Sequence, residues 1–204
     1  MPLRSSALRA LSILACAGLA PAHAEATTET IVLMRHAEKP AGGLGQLDCQ
    51  GLNRALALPP VIAKLFGKPN AAFAPDPAKR NNDSGVPYDY IRPLATIEPT
   101  AIAFGLPVDT SLGFSDIDGL ASALDKPDCR NALALVAWEH KLIDPLPLTL
   151  IKAHGGDPAN VPVWQESDYD GLYVVRSVRD GGNTSVGFER QREGLDGQPE
   201  MRAR

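Results

Sequence analysis

Short runs of apolar, β-favouring residues recur along the chain, separated by stretches that are predicted to be helical. The runs lie at Ile31–Met34, Ala71–Ala74, Ala132–Trp138 and Leu172–Val175. The first three present no polar face to water, which is typical of strands buried on both sides in a parallel sheet. Because strands alternate with helices throughout, the pattern predicts an α/β domain with a mainly parallel sheet.

Four stretches are predicted to be helices: Leu52–Phe66, Arg92–Phe104, Asp116–Leu124 and Lys141–Ala153. Proline lacks a backbone donor and clashes with the preceding turn, so we expect Pro59 and Pro60 to split the first helix into two pieces. The same argument predicts an interruption or restart near Pro99 in the second helix and a disturbance at the prolines of the fourth. Gly105 directly follows the second helix and is a natural C-cap.

The connecting segments carry turn signals rather than apolar periodicity. Asp76–Tyr90 is polar and rich in Pro, Asn and Gly, which predicts a surface loop, and its length favours a functional or mobile segment. Arg179–Asn183 predicts a turn after the fourth strand, from which Thr184–Arg190 would return as a hairpin arm. The last ten or so residues are expected to be frayed.

The first 24 residues have the composition of an export signal. A basic start is followed by the short apolar run Leu11–Ala20 and by a small-x-small cleavage signal at Ala22–Ala24. The run is too short for a permanent membrane anchor. We therefore expect cleavage after Ala24 and a periplasmic or secreted protein, with residues 25–204 forming one domain. Lipid attachment at Cys16 is the alternative, although a bulky leucine two residues before it fits that signal poorly.

Composition limits the partners. The 204-residue chain is 44% hydrophobic and 22% charged, with a formal net charge of −4 that becomes −6 when Arg4 and Arg9 are removed with the leader. A mildly acidic surface argues against nucleic acid, and no later stretch suits a membrane helix. Cys49 and Cys129 would survive processing and form a candidate disulfide in an oxidising compartment, the alternative being two separately buried thiols.

A cluster of ionisable residues follows the first buried strand. Arg35 and His36 fall at its carboxyl end, the edge at which open α/β sheets bind ligands. His140 follows the third buried strand, so we expect the two imidazoles to converge over one crevice. Arg92 begins a helix that can reach the same place, and the helix N-terminus would add backbone donors for an anion. The alternative is an ordinary solvated strand-to-loop transition.

Two histidines and two arginines around one pocket suit phosphoryl transfer. Guanidinium groups bind phosphate oxygens bidentately, and a neutral imidazole can accept the phosphoryl group as a phosphohistidine. Arginines supply the positive charge, so no metal or other cofactor is predicted. The competing interpretation is a metal site built from His36, Glu38, Glu139 and His140, which the neighbouring arginines would oppose. His154 is interpreted as a surface or capping residue.

Four blocks of sequence, taken together, resemble the histidine phosphatase superfamily, whose fold is phosphoglycerate mutase-like. In order they are Leu33–Glu38, Leu47–Ala55, Arg92–Thr96 with Gly105–Val108, and Leu135–His140. The first resembles the Arg-His-Gly-Glu signature, with Ala37 in the usual glycine position. The others resemble the Leu-Thr-x-x-Gly-x-x-Gln-Ala block, the Arg-Ala-x-x-Thr helix with its Gly-Leu-Pro strand start, and the second histidine block.

The resemblance implies a three-layer sandwich, with helices on both faces of the sheet, and a small phosphorylated substrate. It also implies that His36 is the phosphorylated nucleophile. Arg35, Arg92 and His140 would hold the phosphate, and His140 would in addition stabilise the transferred group. Glu38 would act from behind the pocket as a partner that orients its neighbours.

The chain departs from the family pattern at the general acid, which protonates the leaving oxygen. Many members carry a glutamate after the Gly-Leu-Pro strand, where Leu112–Phe114 has no acid. The phytase-like branch has an aspartate after the second histidine, where this chain has Lys141. The remaining candidate acids are Glu139, Asp116 and Asp118. A missing acid would favour leaving groups that need no protonation, such as phosphohistidine or acyl phosphate, or would signal weak catalysis.

The sequence therefore predicts an exported, metal-independent phosphatase that works through phospho-His36. The alternative is a protein of the same fold that binds phosphate or another anion without turnover. The missing acid supports that alternative and the presence of both histidines opposes it. A sugar-phosphate mutase fits export poorly, since its usual substrates are cytoplasmic.

Overall fold

The computed structural model describes residues 25–201, so the predicted leader and its cleavage site lie outside the described residues. The strands are β1 (Thr27–Arg35), β2 (Ala71–Phe73), β3 (Arg80–Asp83), β4 (Val86–Asp89), β5 (Val108–Asp109), β6 (Leu133–Trp138), β7 (Gly171–Asp180) and β8 (Asn183–Arg192). The helices are α1 (Cys49–Phe66), α2 (Arg92–Phe104), α3 (Ile117–Leu124), α4 (His140–Ile143) and α5 (Pro145–Ala153). No helix in this part of the chain has the length and apolar character of a membrane span.

Six strands form the main sheet, in the order β5-β2-β6-β1-β7-β8. The first four are parallel to one another, and β7 and β8 are added at one side as an antiparallel hairpin. β1 is central, with β6 and β7 as its neighbours. The predicted α/β class with a mainly parallel sheet is confirmed, as is the hairpin after the fourth predicted strand.

Helices cover both faces of the sheet because β1 buries side chains on both. Ile31 and Leu33 pack in a cluster with α3 and α5, whereas Val32 and Met34 pack in a second cluster with α1 and α2. Each fully buried side chain of this size contributes roughly 1.5–3 kcal/mol. The result is the three-layer sandwich that the family resemblance implied.

Helix α1 is continuous through Pro59 and Pro60, so the predicted split into two pieces is wrong. The prolines remove two backbone donors, but Leu58 and Ile62 on either side are fully buried in the cluster shared with α2. Tertiary packing of that face therefore outweighs the local cost of the prolines. Helix α2 is likewise continuous through Pro99, where an interruption was predicted.

Two other helix predictions are confirmed. Gly105 ends α2 in the left-handed conformation, with φ of 66°, and its amide donates to carbonyls of the last turn. The stretch Lys141–Ala153, predicted as a helix disturbed by prolines, is divided in the structure: α4 ends at Ile143 and α5 begins at Pro145. Proline suits that first position, where no helical donor is needed. His154 is the C-cap of α5, in agreement with its interpretation as a capping residue.

The segment predicted as a surface loop before α2 contains a separate hairpin, formed by β3 and β4 and not joined to the main sheet. Ser84 and Gly85 occupy its turn with positive φ of 53° and 89°. Two-residue hairpin turns of this hand require positive φ. β3 has the sequence Arg-Asn-Asn-Asp, which shows no apolar alternation, and for that reason the pattern did not predict a strand.

The candidate disulfide between Cys49 and Cys129 is not formed, and both residues are free thiols. Cys49 is exposed at the start of α1, beside the carboxyl edge of the sheet. Cys129 is buried just before β6, at the amino edge, and packs with the α3 and α5 face. The sheet therefore lies between the two cysteines. Two cysteines can form a disulfide only when their Cα atoms approach within about 7 Å.

Arg54 of α1 is almost fully buried and binds four carboxylates. Its Nη2 lies 2.7 Å from Glu38 and 3.1 Å from Asp196, and its Nη1 lies 3.1 Å from Asp170 and 2.7 Å from Glu193. Two of these partners belong to the segment that follows β8. The cluster therefore joins α1, the loop after β1 and the C-terminal segment through one guanidinium group.

The C-terminal segment after β8, described as far as residue 201, is not frayed as predicted but lies against α1. Leu195 is buried, its amide donates to Asp170, and the Asn53 side chain donates to the carbonyl oxygen of Pro199 at 2.8 Å. Fraying was expected because the last residues of a domain are usually poorly ordered unless other parts of the chain hold them. The ion pairs that hold it become visible only when the distant partners are brought together.

Glu193 provides a test of this cluster. Burial among other carboxylates raises its pKa to about 7 from an ordinary value of 4.5. Between these values the folded protein binds a proton that the unfolded chain has lost, so the free energy of unfolding falls as pH rises. Glu193→Gln removes the titration and should remove that slope, which is at most about 1.4 kcal/mol per pH unit.

Urea titrations from pH 4.5 to 8 would measure the free energy of unfolding of the wild type and of Glu193→Gln at each pH. Groups that titrate in both proteins cancel when the two free energies are subtracted. Glu189→Gln, on the exposed face of β8, is the matched control and should keep the wild-type slope. Identical pH dependence in all three proteins would contradict the prediction.

Candidate active site

The pairing of β1 with β6 sets the position of the site. Arg35 is in register with Trp138, so the chain leaves both strands side by side at the carboxyl edge. The His36 amide donates to the Trp138 carbonyl oxygen at 2.8 Å, and His140 follows two residues after Trp138. The structure thereby brings His36, His140, Arg35 and Arg92 to one cavity of about 390 Å³.

His36 is 2% exposed, and its ring is oriented by its own loop. Nδ1 lies 2.8 Å from the carbonyl oxygen of Ala37, which can only accept, so Nδ1 carries the proton and Nε2 keeps its lone pair. Burial, together with the positive charges of Arg92 and Arg35, lowers the pKa of His36 to about 3. The imidazole is therefore neutral at physiological pH, as a nitrogen nucleophile must be.

His140 is 3% exposed and is accompanied by Glu139, which caps the N-terminus of α4. Glu139 accepts from the Leu142 amide at 3.0 Å and lies 2.9 Å from His140 Nδ1, without the alignment of a hydrogen bond. Burial opposes ionisation of Glu139, but the His140 contact and the amide hold its pKa below the usual range. Glu139 is thus held as a carboxylate against His140, which suits orientation of that ring.

Arg35 is held by a segment that the sequence did not indicate. Its Nη1 donates to the Glu166 carbonyl oxygen and its Nη2 to the Tyr169 hydroxyl at 3.1 Å, while the guanidinium carbon stands 3.7 Å from the centre of the Tyr169 ring. This stacking is a cation–π contact, which fixes the side chain without neutralising it. No local pattern in the chain before β7 distinguishes these two residues.

Arg92 lies in the cavity wall but is paired with an anion of the protein itself. Its Nη1 and Nη2 both donate to Asp83, at the end of β3. The amides of Ile91 and Arg92 donate to the Gly45 carbonyl oxygen, and Pro93 has no amide hydrogen. These backbone groups at the start of α2 are therefore not free for a bound anion, which corrects the expectation from sequence.

The other predicted residues lie away from the cavity. Asp116 accepts from the Gly119 amide at 2.9 Å as the N-cap of α3, and Asp118 is exposed in the first turn of the same helix. The chain passes the cavity at Phe114 and then turns away, so neither aspartate contacts it. Glu38 is bound by Arg54 behind the site, where it can orient the loop after β1.

A metal centre finds no support in this arrangement. Glu38 is turned towards Arg54, so the ligand set of the competing interpretation is not assembled. Within residues 25–201, no group of three or more His, Cys, Asp or Glu side chains has the geometry to bind a metal ion. Among the residues that the structure describes, the other charged groups that line the cavity are four cations and three carboxylates: Arg35, Arg92, Lys39 and Lys141, with Asp83, Glu139 and Glu166.

Four buried nitrogen atoms around the cavity have no hydrogen-bond partner within the described chain. They are Arg35 Nε, Arg92 Nε, and Nδ1 and Nε2 of His140. A buried donor without a partner costs about 1–3 kcal/mol, so such groups call for explanation. A tetrahedral oxyanion held between the arginines and His140 would give a partner to Arg35 Nε, Arg92 Nε and His140 Nε2, whereas His140 Nδ1 faces Glu139.

The loop that carries His36 is fixed by close contacts. The Ala37 amide donates to Thr96 Oγ1 at 2.9 Å, and the Asp48 amide donates to the Glu38 carbonyl oxygen at 3.1 Å. A Cβ atom at Gly51 would overlap that same carbonyl oxygen. Gly51, the glycine of the second family-like block, is therefore required on steric grounds, because a residue without a side chain lets α1 approach the His36 loop closely.

Comparison with known proteins establishes the fold. No family model matches the chain, and no curated protein matches it in sequence. A candidate phosphohistidine phosphatase SixA from Nakamurella multipartitia matches with a TM-score of 0.56 at 15% identity, over 83% of this chain and 98% of that one. A mycobacterial glucosyl-3-phosphoglycerate phosphatase, solved with inorganic phosphate, matches with a TM-score of 0.52 at 14% identity, over 81% and 98%. The three-layer, phosphoglycerate mutase-like fold is thus confirmed.

Gly51→Ala tests the packing behind the His36 loop. Alanine is favoured over glycine inside a helix by about 1 kcal/mol, whereas overpacking costs about 1–3 kcal/mol. We expect the overlap with the Glu38 carbonyl to dominate and the free energy of unfolding to fall in urea titrations. Gly187→Ala, at an open position on β8, is the control and should change stability little. A higher free energy of unfolding in Gly51→Ala would contradict the prediction, because it would mean that the His36 loop moves aside at little cost.

The protonation state of His36 can be followed by nitrogen NMR of the imidazole. The low pKa caused by burial predicts the neutral ring, protonated at Nδ1, across pH 5–8. The signal is assigned by its loss in His36→Asn. A His36 ring that gains its second proton above pH 5 would contradict the prediction.

Proposed function

We propose that the protein is a metal-independent phosphatase that forms a phosphohistidine on His36. The observation that carries the proposal is a buried, neutral imidazole in one cavity with unpartnered nitrogens of Arg35, Arg92 and His140. Two solved phosphatases share the fold, and one of them was solved with inorganic phosphate. Membership of the histidine phosphatase superfamily is part of this proposal.

The reaction follows from the positions of the nitrogen atoms. Arg35, Arg92 and His140 hold the oxygens of the phosphoryl group, and His36 Nε2 donates its lone pair to phosphorus as the bond to the leaving oxygen breaks. The ring becomes positively charged, and the Nδ1–H bond to the Ala37 carbonyl oxygen stabilises that charge. Water then attacks phosphorus, phosphate is released, and His36 returns to its neutral form.

The expected substrate is a small phosphorylated molecule. The cavity of about 390 Å³ is lined mainly by charged and polar groups, with Lys39 and Lys141 beside the two arginines. Export remains part of the proposal and rests on the composition of residues 1–24; a substrate outside the cytoplasm is part of the same proposal.

Anion binding without turnover is the second candidate function. It is favoured because none of the three acids proposed from the sequence is suited to protonate a leaving group. Glu139 is engaged by His140, and Asp116 and Asp118 lie outside the cavity. The two functions differ in whether a covalent phosphoryl enzyme forms.

The test measures hydrolysis of p-nitrophenyl phosphate and of a phosphohistidine peptide by residues 25–204, with chelator and without added metal. We expect turnover of both, and its loss in His36→Ala by on the order of 10³-fold or more, since the nucleophile is removed. His154→Ala is the matched control, because that residue caps α5 outside the cavity.

Acid-quenched reactions with radiolabelled substrate should contain an acid-labile phosphoprotein in the wild type and in His154→Ala, and none in His36→Ala. Phosphate binding without turnover or labelling would establish the anion-binding function instead.

A further inference from the structure

One carboxylate in the cavity wall has no part in the chemistry described so far. Asp83 ends β3, and its side chain is 5% exposed. Both of its oxygens accept from Arg92, Oδ2 also accepts from the Gly45 amide at 2.9 Å, and Lys39 Nζ lies 3.6 Å from Oδ1. A buried carboxylate thus shares the cavity with His36.

The loop before α1 is shaped around this carboxylate. Gly43 and Gly45 have positive φ of 74° and 70°, and a Cβ atom at Gly43 would overlap the carboxyl group of Asp83. Arg92 contacts the carboxylate from the other side, and its Nη1 also lies 3.4 Å from the Gly43 carbonyl oxygen. Asp83 is therefore fixed in the wall and is not a mobile surface group.

We infer that Asp83 is the general acid that protonates the leaving oxygen, an inference that rests on the proposed phosphatase function. The other acidic residues are less suited. Glu139 is engaged by His140, Glu166 has a side chain that is 78% exposed, and Asp116 lies outside the cavity. Asp83 combines burial in the wall with direct contact to an arginine that would bind the phosphoryl group.

The charges around Asp83 explain how it would gain its proton. In the structure burial opposes ionisation, but the Arg92 bonds, the Gly45 amide and the nearby Lys39 hold the pKa of Asp83 below its usual range. A phosphoryl group would compete for Arg92 and bring negative charge next to the carboxylate. Both effects favour the protonated form. The acid is thus generated when substrate binds, with the proton taken from solvent or from the phosphate monoanion.

The proton balance closes over the cycle. In the first step the bond from His36 Nε2 to phosphorus forms, the bond from phosphorus to the ester oxygen breaks, and that oxygen takes the proton of Asp83 and leaves as an alcohol. In the second step the Asp83 carboxylate accepts a proton from water, whose oxygen bonds to phosphorus as the His36 bond breaks. The same group serves as acid and then as base, and it returns its proton to solvent when phosphate leaves and Arg92 binds it again.

The test compares two phosphate esters in Asp83→Asn. Glycerol phosphate releases an alkoxide that needs its proton, whereas p-nitrophenyl phosphate releases a stable phenolate. General acid catalysis is worth about 10²–10⁴-fold, so we expect kcat/KM for glycerol phosphate to fall by that factor. Hydrolysis of p-nitrophenyl phosphate should change by less than about tenfold. Asp89→Asn, on β4 of the same hairpin and paired in solvent with Arg80, should match the wild type on both.

The outcomes separate this inference from the proposed function. If Asp83 only positions Arg92, the variant should lose both substrates equally and bind inorganic phosphate more weakly. If Asp83 merely blocks the pocket, the variant should gain activity on both. Either result overturns the inference while leaving phosphohistidine formation on His36 intact. If the wild type itself shows neither turnover nor labelling, the proposed function is overturned instead.

A measurement on the wild type does not depend on the variant folding. Of the residues described here, Asp83 is the only aspartate in the cavity wall. With carbon-13 at the aspartate carboxyl groups, sulfate, which does not itself titrate near neutrality, should raise the pH at which one buried signal is protonated. Unchanged titration of every aspartate signal in saturating sulfate would overturn the inference.

Discussion

Burial of charged and titratable groups at the carboxyl edge of the sheet is the constraint on which the site depends. A guanidinium or imidazole removed from water loses solvation, and this loss has to be offset by protein groups. For His36 it favours the neutral ring. Arg35 and Arg92 require partners: Tyr169 contacts Arg35 from a distant segment, and Asp83 binds Arg92 from the hairpin just before α2. Reactivity and stability at this edge thus have the same physical origin.

The acidic residues near the sheet edge differ in what surrounds them. Glu139 touches an imidazole and a helix amide, and these contacts hold its pKa below the usual range. Asp83 accepts from Arg92, to which a phosphoryl group would also bind, so the inferred role makes the charge of Asp83 depend on whether the cavity holds an anion. Glu38 and Glu193 meet at Arg54, outside the cavity, where they connect the His36 loop to the end of the chain. Chemically similar side chains are given different properties by their neighbours.

The residues of the site that directly follow a buried apolar strand could be predicted from the sequence. The buried run ending at Met34 and the run ending at Trp138 placed Arg35, His36 and His140 at one edge, because parallel strands end together. Asp83 could not be predicted in this way, since a strand of four polar residues has no apolar alternation. The only signal was the unusual length of its segment, which favoured a functional or mobile loop without indicating a residue.

The prolines of α1 and the ion pairs of Arg54 show a second limit. Local propensity argued for a broken helix and a frayed end, and long-range packing outweighed both. Such contacts depend on which elements become neighbours, and the family-like blocks ended at His140. The segments that hold Arg35 and Arg54 from beyond that point were therefore outside any pattern that the sequence offered.

The position of β1 in the sheet bears on the order of folding. Its two hydrogen-bonded neighbours are β6 and β7, about a hundred or more residues later in the chain. The first strand to be synthesised therefore has no partner until most of the chain is available, and such non-local pairing slows folding. A chain that cannot pair its central strand early stays unfolded until its last third has been made, so its core cannot form domain by domain during synthesis.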